Sequence, residues 1–322
     1  MSFMKHIKSM ARVGVGPSAK WVRDRVVARF VPAIHRRRWA MHSADPGYSG
    51  LVSKSREVPL VFSLTTFPAR TTTVHLVIES LLMQTCKPDA LVLWLAREQY
   101  PGGEADLPES LLSLKRYGLD IRWCDDIRSY KKLVPTLRAF PGAAVITADD
   151  DLYYGVHWAE KLYQAYLADP EAVHCHRVTK FYKDGGRWRT SPGGYDVYPF
   201  PSYLNKLTGG SGALYPPAPL PPEMTDEALF MELAPTNDDI WFWLMAARAG
   251  LRCNVVKGSE PALFYVEGSQ EQALTKVNDQ GEKLFWRQLG AVLEKFPEAA
   301  ELLDDEWIRV ARSGRRDRTE EV

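Results

Sequence analysis

Three consecutive carboxylates, Asp149, Asp150 and Asp151, end the apolar run in AAVITADDDLYYG. Like charges about 5 Å apart repel by roughly 3 kcal/mol per pair at an effective dielectric near 20, so something must offset them. Solvent does so if the groups point outward. A hard divalent cation, Mg²⁺ or Mn²⁺, does so better, because it takes oxygen ligands. A second acidic pair, Asp238 and Asp239, opens TNDDIWFWLMAARAG. Adjacent carboxylates raise one another's pKa, which suits one of them to act as a general base. The same position also suits capping: Asn237 or Asp238 makes a good N-cap, and acids in a first turn complement the helix dipole.

Other polar features leave their alternatives open. The backbone N–H groups of LTGGSGALY suit an anion, but the loop lacks the spacing and lysine of a P-loop. It reads better as a flexible loop admitting a second substrate. His174 and His176 share one face of a strand, as metal ligands or as packed groups beneath the site. Trp188, Tyr195, Tyr198, Tyr203 and Tyr215 lie in loop-like sequence and suit stacking or core packing. Trp241 and Trp243 are two residues apart on a helix and face different directions, so at least one belongs to the core.

Strands and helices must hold these groups. PLVFSLTTF, DALVLWLA, LDIRWCDD and AAVITA read as strands, separated by helical spacing in TVHLVIESLLMQT, DLPESLLSLKRYG and LVPTLRAF. Strands alternating with helices predict a mostly parallel sheet with helices on both faces, with ligands outside the carboxyl ends of the strands. Thr65, Thr66, Arg70, Asp125, Asp126 and the Asp149–Asp151 run all fall at such ends. A helix follows in GVHWAEKLYQAYLADP, then two strands around Asp184-Gly185-Gly186. A Gly/Pro/Tyr-rich loop runs from Ser191 to Pro222. A short helix over Glu227–Leu233, the TNDD helix, strand-like RCNVVK and ALFYVE, and a closing helix in EKLFWRQLGAVLEKF complete the pattern.

The whole chain excludes several classes. It has 322 residues and a net charge of +1, so no global field favours nucleic acid. Its 4 cysteines form no CxxC pair, which argues against a zinc module or disulfide scaffold. No apolar run approaches the ~18 residues of a membrane span, and the N-terminus makes a poor signal peptide. The expected location is cytoplasmic, with the inner face of a membrane as a peripheral site. Residues 1–40 hold ten Lys/Arg against Asp24 alone. Trp21, Val22, Val26 and Phe30 would share one side of a helix, although Arg25 and Arg29 intrude. The segment therefore reads as a peripheral anchor on an anionic surface or as a solvated or packed helix. The expected organisation is a basic extension over 1–57, a catalytic domain over 58–296 and a charged tail over 297–322.

An apolar strand ending in Asp-x-Asp, here in ITADDDLYYG, resembles the signature of nucleotide-sugar glycosyltransferases of the GT-A fold. VFSLTTFPAR resembles their first strand and loop, LTGGSGALY their acceptor-side loop, and TNDDIWFW their acidic pair. The four elements stand in the family's order over about Leu60 to Ala249, closest in texture to family-2-like bacterial polysaccharide transferases. The resemblance implies an α/β GT-A domain with a small antiparallel acceptor-side part. It implies transfer of a hexosyl or N-acetylhexosaminyl group from a nucleotide sugar, UDP-linked by expectation, to a carbohydrate or lipid-linked glycan hydroxyl, with Mn²⁺ or Mg²⁺. Thr65, Thr66 and Arg70 would line the nucleotide pocket, Asp126 would approach base or ribose, and Lys131 or Lys132 the diphosphate. Asp149 would contact ribose or the metal, Asp151 would ligate the metal directly, and Asp150, on the donor side, would point away from its neighbours. Asp238 or Asp239 would be the base, and Gly209, Gly210, Ser211 and Trp241 would face the acceptor. The chain departs from many relatives in having no His after His176. A metal-dependent phosphohydrolase or a non-catalytic nucleotide- or carbohydrate-binding module is the rival expectation; DDDLYYG does not supply the phosphohydrolase arrangement.

Overall fold

A computed structural model describes residues 27–191, 196–256, 264–269 and 283–316. Trp21, Val22, Arg25, Val26, Tyr195, the start of ALFYVE and residues 317–322 lie outside the described residues.

The chain folds as a mixed α/β structure around a mostly parallel sheet of seven strands. Helix α1 (Val31–Ser43) precedes β1 (Leu60–Thr65), α2 (Val74–Leu82), β2 (Ala90–Ala96), α3 (Glu109–Leu112) and β3 (Leu119–Cys124). The chain continues through α4 (Val134–Ala139), β4 (Ala144–Thr147), α5 (Trp158–Ala168), β5 (Ala172–Cys175), β6 (Val178–Asp184), β7 (Arg187–Thr190), β8 (Asn205–Leu207) and β9 (Ala213–Tyr215). Helices α6 (Glu227–Leu233) and α7 (Asp238–Arg248), strand β10 (Arg252–Val255), and helices α8 (Lys283–Lys295) and α9 (Pro297–Arg316) complete it. The large sheet runs β10-β5-β9-β4-β1-β2-β3, and a small antiparallel sheet runs β7-β6-β8.

Strand β1 is central, parallel to β2 on one side and β4 on the other. Both its faces are covered, which is why its sequence is nearly continuous apolar residues. Leu60, Phe62 and Leu64 pack with Val77, Ile78, Leu81 and Leu162 of α2 and α5, while Val61 faces the opposite side. Each such side chain contributes about 1.5–3 kcal/mol on burial. On the other face, α7 is buried almost all round, against Tyr130, Phe181 and Phe230.

Several elements differ from the sequence reading. DLPESLLSLKRYG forms the short α3 and then a 3-10 turn, Ser113–Tyr117, rather than one helix. That tighter winding aligns residues three apart, and Leu111, Leu114 and Tyr117 are all buried. AVHC is a separate strand of the large sheet; only β6 and β7 form the hairpin, with positive φ at Gly185 and Gly186 (54° and 76°) as a tight two-residue turn needs. The Ser191–Pro222 loop contains β8 and β9, and β9 is inserted antiparallel between β4 and β5. From ALFYVE, Tyr265 makes a single bridge to Leu152. Residues 297–316, read as tail, form α9, which buries Ala299, Leu303 and Glu306.

The basic extension also contributes to the fold. The buried His35 ring lies 2.7 Å from buried Glu79 Oε2, and Trp39 packs edge-on against Tyr117. No helix among the described residues is long and apolar enough to cross a membrane. Replacing His35 by Ala strands a buried carboxyl, so a loss of about 1–3 kcal/mol is expected in urea unfolding. An unchanged midpoint would mean that the His35–Glu79 contact contributes nothing to stability.

Candidate active site

Chain order brings the polar groups to one edge. The chain runs β1, β2, β3 outward and returns to β4 on the other side of β1, so the crevice opens at the carboxyl ends of β1 and β4. Thr65 and Thr66 stand at one end and Asp149–Asp151 at the other. Because β9 is antiparallel to β4, with Ala213 opposite Thr147, the loop before it returns to that edge and carries Thr208–Gly212. The N-terminus of α7 brings Asp238 and Asp239 to the same place.

Lys132 joins these parts. It leaves a 3-10 turn, Arg128–Lys132, that begins at a left-handed Arg128 (φ 56°). Its side chain is only 7% exposed, and Nζ lies 2.9 Å from Asp149 Oδ1 and 3.1 Å from Asp238 Oδ2. Burial opposes the charge. Asp149, Asp238 and Asp239 more than offset it and hold the lysine pKa well above its usual value. Ser129 Oγ donates to Asp238 Oδ1 at 2.8 Å, fixing that carboxylate from a second direction. The neighbouring lysine has another partner: Lys131 Nζ donates to Asp126 Oδ1 at 2.6 Å, and Gln99 Nε2 donates to Asp126 Oδ2 at 2.8 Å.

The three carboxylates are separated by their partners. Asp150 turns into the protein, accepting from Thr66 Oγ1 at 2.6 Å and Arg70 Nη1 at 2.5 Å. The same guanidinium nitrogen lies 3.1 Å from Asp151 Oδ2, and Arg70 Nη2 donates to Ser269 O at 2.9 Å. Burial works against the Arg70 cation, but Asp150 and Asp151 outweigh it and raise its pKa. Thr65 Oγ1 donates to Trp94 O at 2.8 Å. Thr65, Thr66 and Arg70, expected at a nucleotide pocket, thus stand at the carboxyl end of β1, and Asp150 points away from its neighbours as expected. Thr66 and Arg70 supply the partners that the buried Asp150 carboxylate requires.

The glycine loop lies directly on the acids. Gly209 N donates to Asp239 Oδ1 at 3.0 Å. A Cβ on Gly209 would fall 2.9 Å from that oxygen, and one on Gly210 would fall 2.6 Å from Asp149 Oδ2. At Gly212 (φ 104°) it would fall 2.5 Å from the Trp158 ring. Ser211 is held through its carbonyl, which accepts from Trp158 Nε1 at 2.7 Å. Burial, followed by the Asp238 charge, raises the Asp239 pKa above the ordinary carboxylate value. Capping falls to Asn237, whose Oδ1 accepts from Ile240 N at 3.2 Å, so neither aspartate is needed for it.

Trp241 is a correction to the expected acceptor surface: it is fully buried, and its Nε1 donates to Met224 O at 3.3 Å. Trp243, Tyr198, Tyr203 and Tyr215 are likewise buried, and Trp188 packs on Phe181. His174 Nε2 and His176 Nε2 contact the carbonyls of Asp169 (2.7 Å) and Trp158 (2.9 Å), as buried, packed groups. Sequence reasoning missed Tyr154, whose hydroxyl accepts from Asp149 N at 2.8 Å and donates to Gly210 O at 3.0 Å. It lies inside the quoted DDDLYYG run, so nearness to the acids was the available signal. Ser129 and Lys206, which also acts on Asp239, carried no signal.

A divalent cation at this edge would draw on Asp149 and Asp151. Five carboxylates, Asp149, Asp150, Asp151, Asp238 and Asp239, lie among the cations Arg70, Lys132 and Lys206. Asp149 and Asp151 offer hard oxygens on a rigid strand end. Two carboxylates completed by phosphate oxygens and water form a usual Mg²⁺ set. No group of three His, Cys, Asp or Glu placed to hold a metal occurs among the described residues.

Among solved structures, the chain is similar to the mannosyltransferase PcManGT from Pyrobaculum calidifontis in complex with GDP-Man and Mn²⁺. Identity is 12%, 86% of this chain and 75% of that chain are covered, and the TM-score is 0.48. It is also similar to CMP:2-keto-3-deoxy-manno-octonic acid synthetase complexed with CTP, at 13% identity, 62% and 89% coverage and a TM-score of 0.36. No protein-family model and no curated protein sequence matches it.

Replacing Lys132 by Met leaves Asp149 and Asp238 without their shared cation. A loss of about 3 kcal/mol or more is expected in denaturant unfolding. A variant as stable as the parent would show that the lysine does not hold the two acids together.

Proposed function

We propose that this chain is a glycosyltransferase of the GT-A type that moves a hexosyl or N-acetylhexosaminyl group from a UDP-linked donor to a hydroxyl of a carbohydrate or lipid-linked glycan. The setting we propose is surface polysaccharide synthesis in the cytoplasm, with Mn²⁺ or Mg²⁺ as cofactor. The observation that carries this reading is the meeting of three parts around Lys132: the acidic end of β4, the Gly209–Ser211 loop and the acidic start of α7.

In this reading the bond between the anomeric carbon and the diphosphate oxygen breaks, and the acceptor oxygen bonds to that carbon. Asp149 and Asp151 would hold the divalent cation, which supplies charge stabilisation for the departing diphosphate. Lys132 keeps Asp149 oriented and adds positive charge close to it. Asp126, set by Lys131 and Gln99 and with its side chain 34% exposed, would meet base or ribose. Asp239 would take the acceptor proton, because burial and the Asp238 charge raise its pKa and Gly209 N orients it. Asp238, tied to Ser129 and Lys132, would position it. The glycines at 209 and 210 let the loop lie against Asp239 and Asp149, where it would border the acceptor side.

Two outcomes test the roles. With the base raised above the ordinary carboxylate value, turnover should fall as pH drops through that pKa and protonates Asp239. Asp239→Asn should remove this acid limb and lower kcat by about 10²–10⁴-fold at nearly constant donor KM; unchanged kcat would exclude it as base. UDP release should stop in EDTA, return with Mn²⁺, and fall strongly in Asp151→Ala. Activity indifferent to both treatments would remove the cation from the reaction.

A further inference from the structure

Helix α1 is apolar on two opposite sides. Its inner side, with His35 and Trp39, packs on Glu79, Tyr153 and Tyr117. Its outer side, continued by the turn before it, repeats at helical spacing: Val27 and Phe30 just before α1, and Ile34 and Met41 on it, are 38%, 59%, 45% and 70% exposed. These four are half of the exposed large hydrophobics among the described residues. Arg29, Arg36, Arg37 and Arg38 are exposed around that stripe, and no Asp or Glu occurs between residues 25 and 44.

We propose that the outer face of α1 docks on an anionic lipid surface, with Phe30, Ile34 and Met41 entering the headgroup boundary and Arg29 and Arg36–Arg38 pairing with lipid phosphates. An apolar stripe bordered only by cations matches such a surface in both polarity and charge. The sign of the charge disfavours a second copy, because two such faces would bring like charges together. The inner side sets where the crevice then lies. The His35 ring packs at a tilt on Tyr153 with ring centroids 4.9 Å apart, and Tyr153 is two residues beyond Asp151. One helix diameter, about 10 Å, therefore separates the lipid boundary from the segment carrying the acids. On the transferase reading, this favours an acceptor held in the membrane; the docking itself does not depend on that reading.

The test is co-sedimentation of the full chain with vesicles, without donor or turnover. Binding is expected to vesicles of phosphatidylcholine with about one third phosphatidylglycerol and not to phosphatidylcholine alone. Phe30→Glu with Ile34→Glu should weaken it by about tenfold or more, and Arg36→Gln, Arg37→Gln and Arg38→Gln by about fivefold per charge. Both variants should keep the parent's melting temperature, since the altered side chains are exposed. Equal binding to neutral vesicles, or parental binding by both variants, would overturn the proposal. So would a concentration-dependent dimer abolished by the Phe30 and Ile34 changes without any lipid binding.

Discussion

A single buried ammonium holds the candidate site together. Lys132 Nζ touches carboxylates from two elements far apart in sequence, Asp149 after β4 and Asp238 at the start of α7. Isolated, any of these charges would be costly at such burial. Together they are neutralised in part, and on the transferase reading the residual negative charge is what a divalent cation would use. Arg70 performs the corresponding task for Asp150 and Asp151 from the loop after β1. The crowding of three carboxylates is therefore relieved by the protein's own cations, each from a different loop, and only part of their charge faces the crevice.

The topology makes this meeting unavoidable. A parallel sheet alone would carry Asp149 and Thr66 to one edge and leave the glycine loop elsewhere. Inserting β9 antiparallel between β4 and β5 reverses that segment and lays Thr208–Gly212 on the carboxyl end of β4. The loop can lie there only because Gly209 and Gly210 lack side chains: a methyl at either would meet a carboxylate oxygen within 3 Å. Tyr154 and Trp158 then fasten the loop through carbonyls, so its position does not depend on the glycines' own flexibility.

Much of this architecture is legible in the sequence, for definite reasons. Strands buried on both faces read as unbroken apolar runs, and carboxylates at their ends stand out because water-loving groups rarely follow such runs without a purpose. Partnership is not legible. That Thr66 and Arg70 brace Asp150, about eighty residues later, depends on strand pairing. The divergence of Lys131 and Lys132 depends on a left-handed turn at Arg128 that composition does not announce. Strand β9 has three residues between turn-forming sequences, too few for a period to show. Trp241 sits on a helix apolar all round, where periodicity gives no direction, and α9 was hidden because its exposed face is densely charged.

The most direct test of the shared cation is a double-mutant cycle on Asp149→Asn and Asp238→Asn, read by denaturant unfolding. Removing one carboxylate leaves Lys132 a direct partner; removing both leaves it only the more distant charge of Asp239. The double variant should therefore lose about 1 kcal/mol or more beyond the sum of the single losses. Additivity to within about 0.5 kcal/mol would contradict the claim that Lys132 joins the two acids into one site.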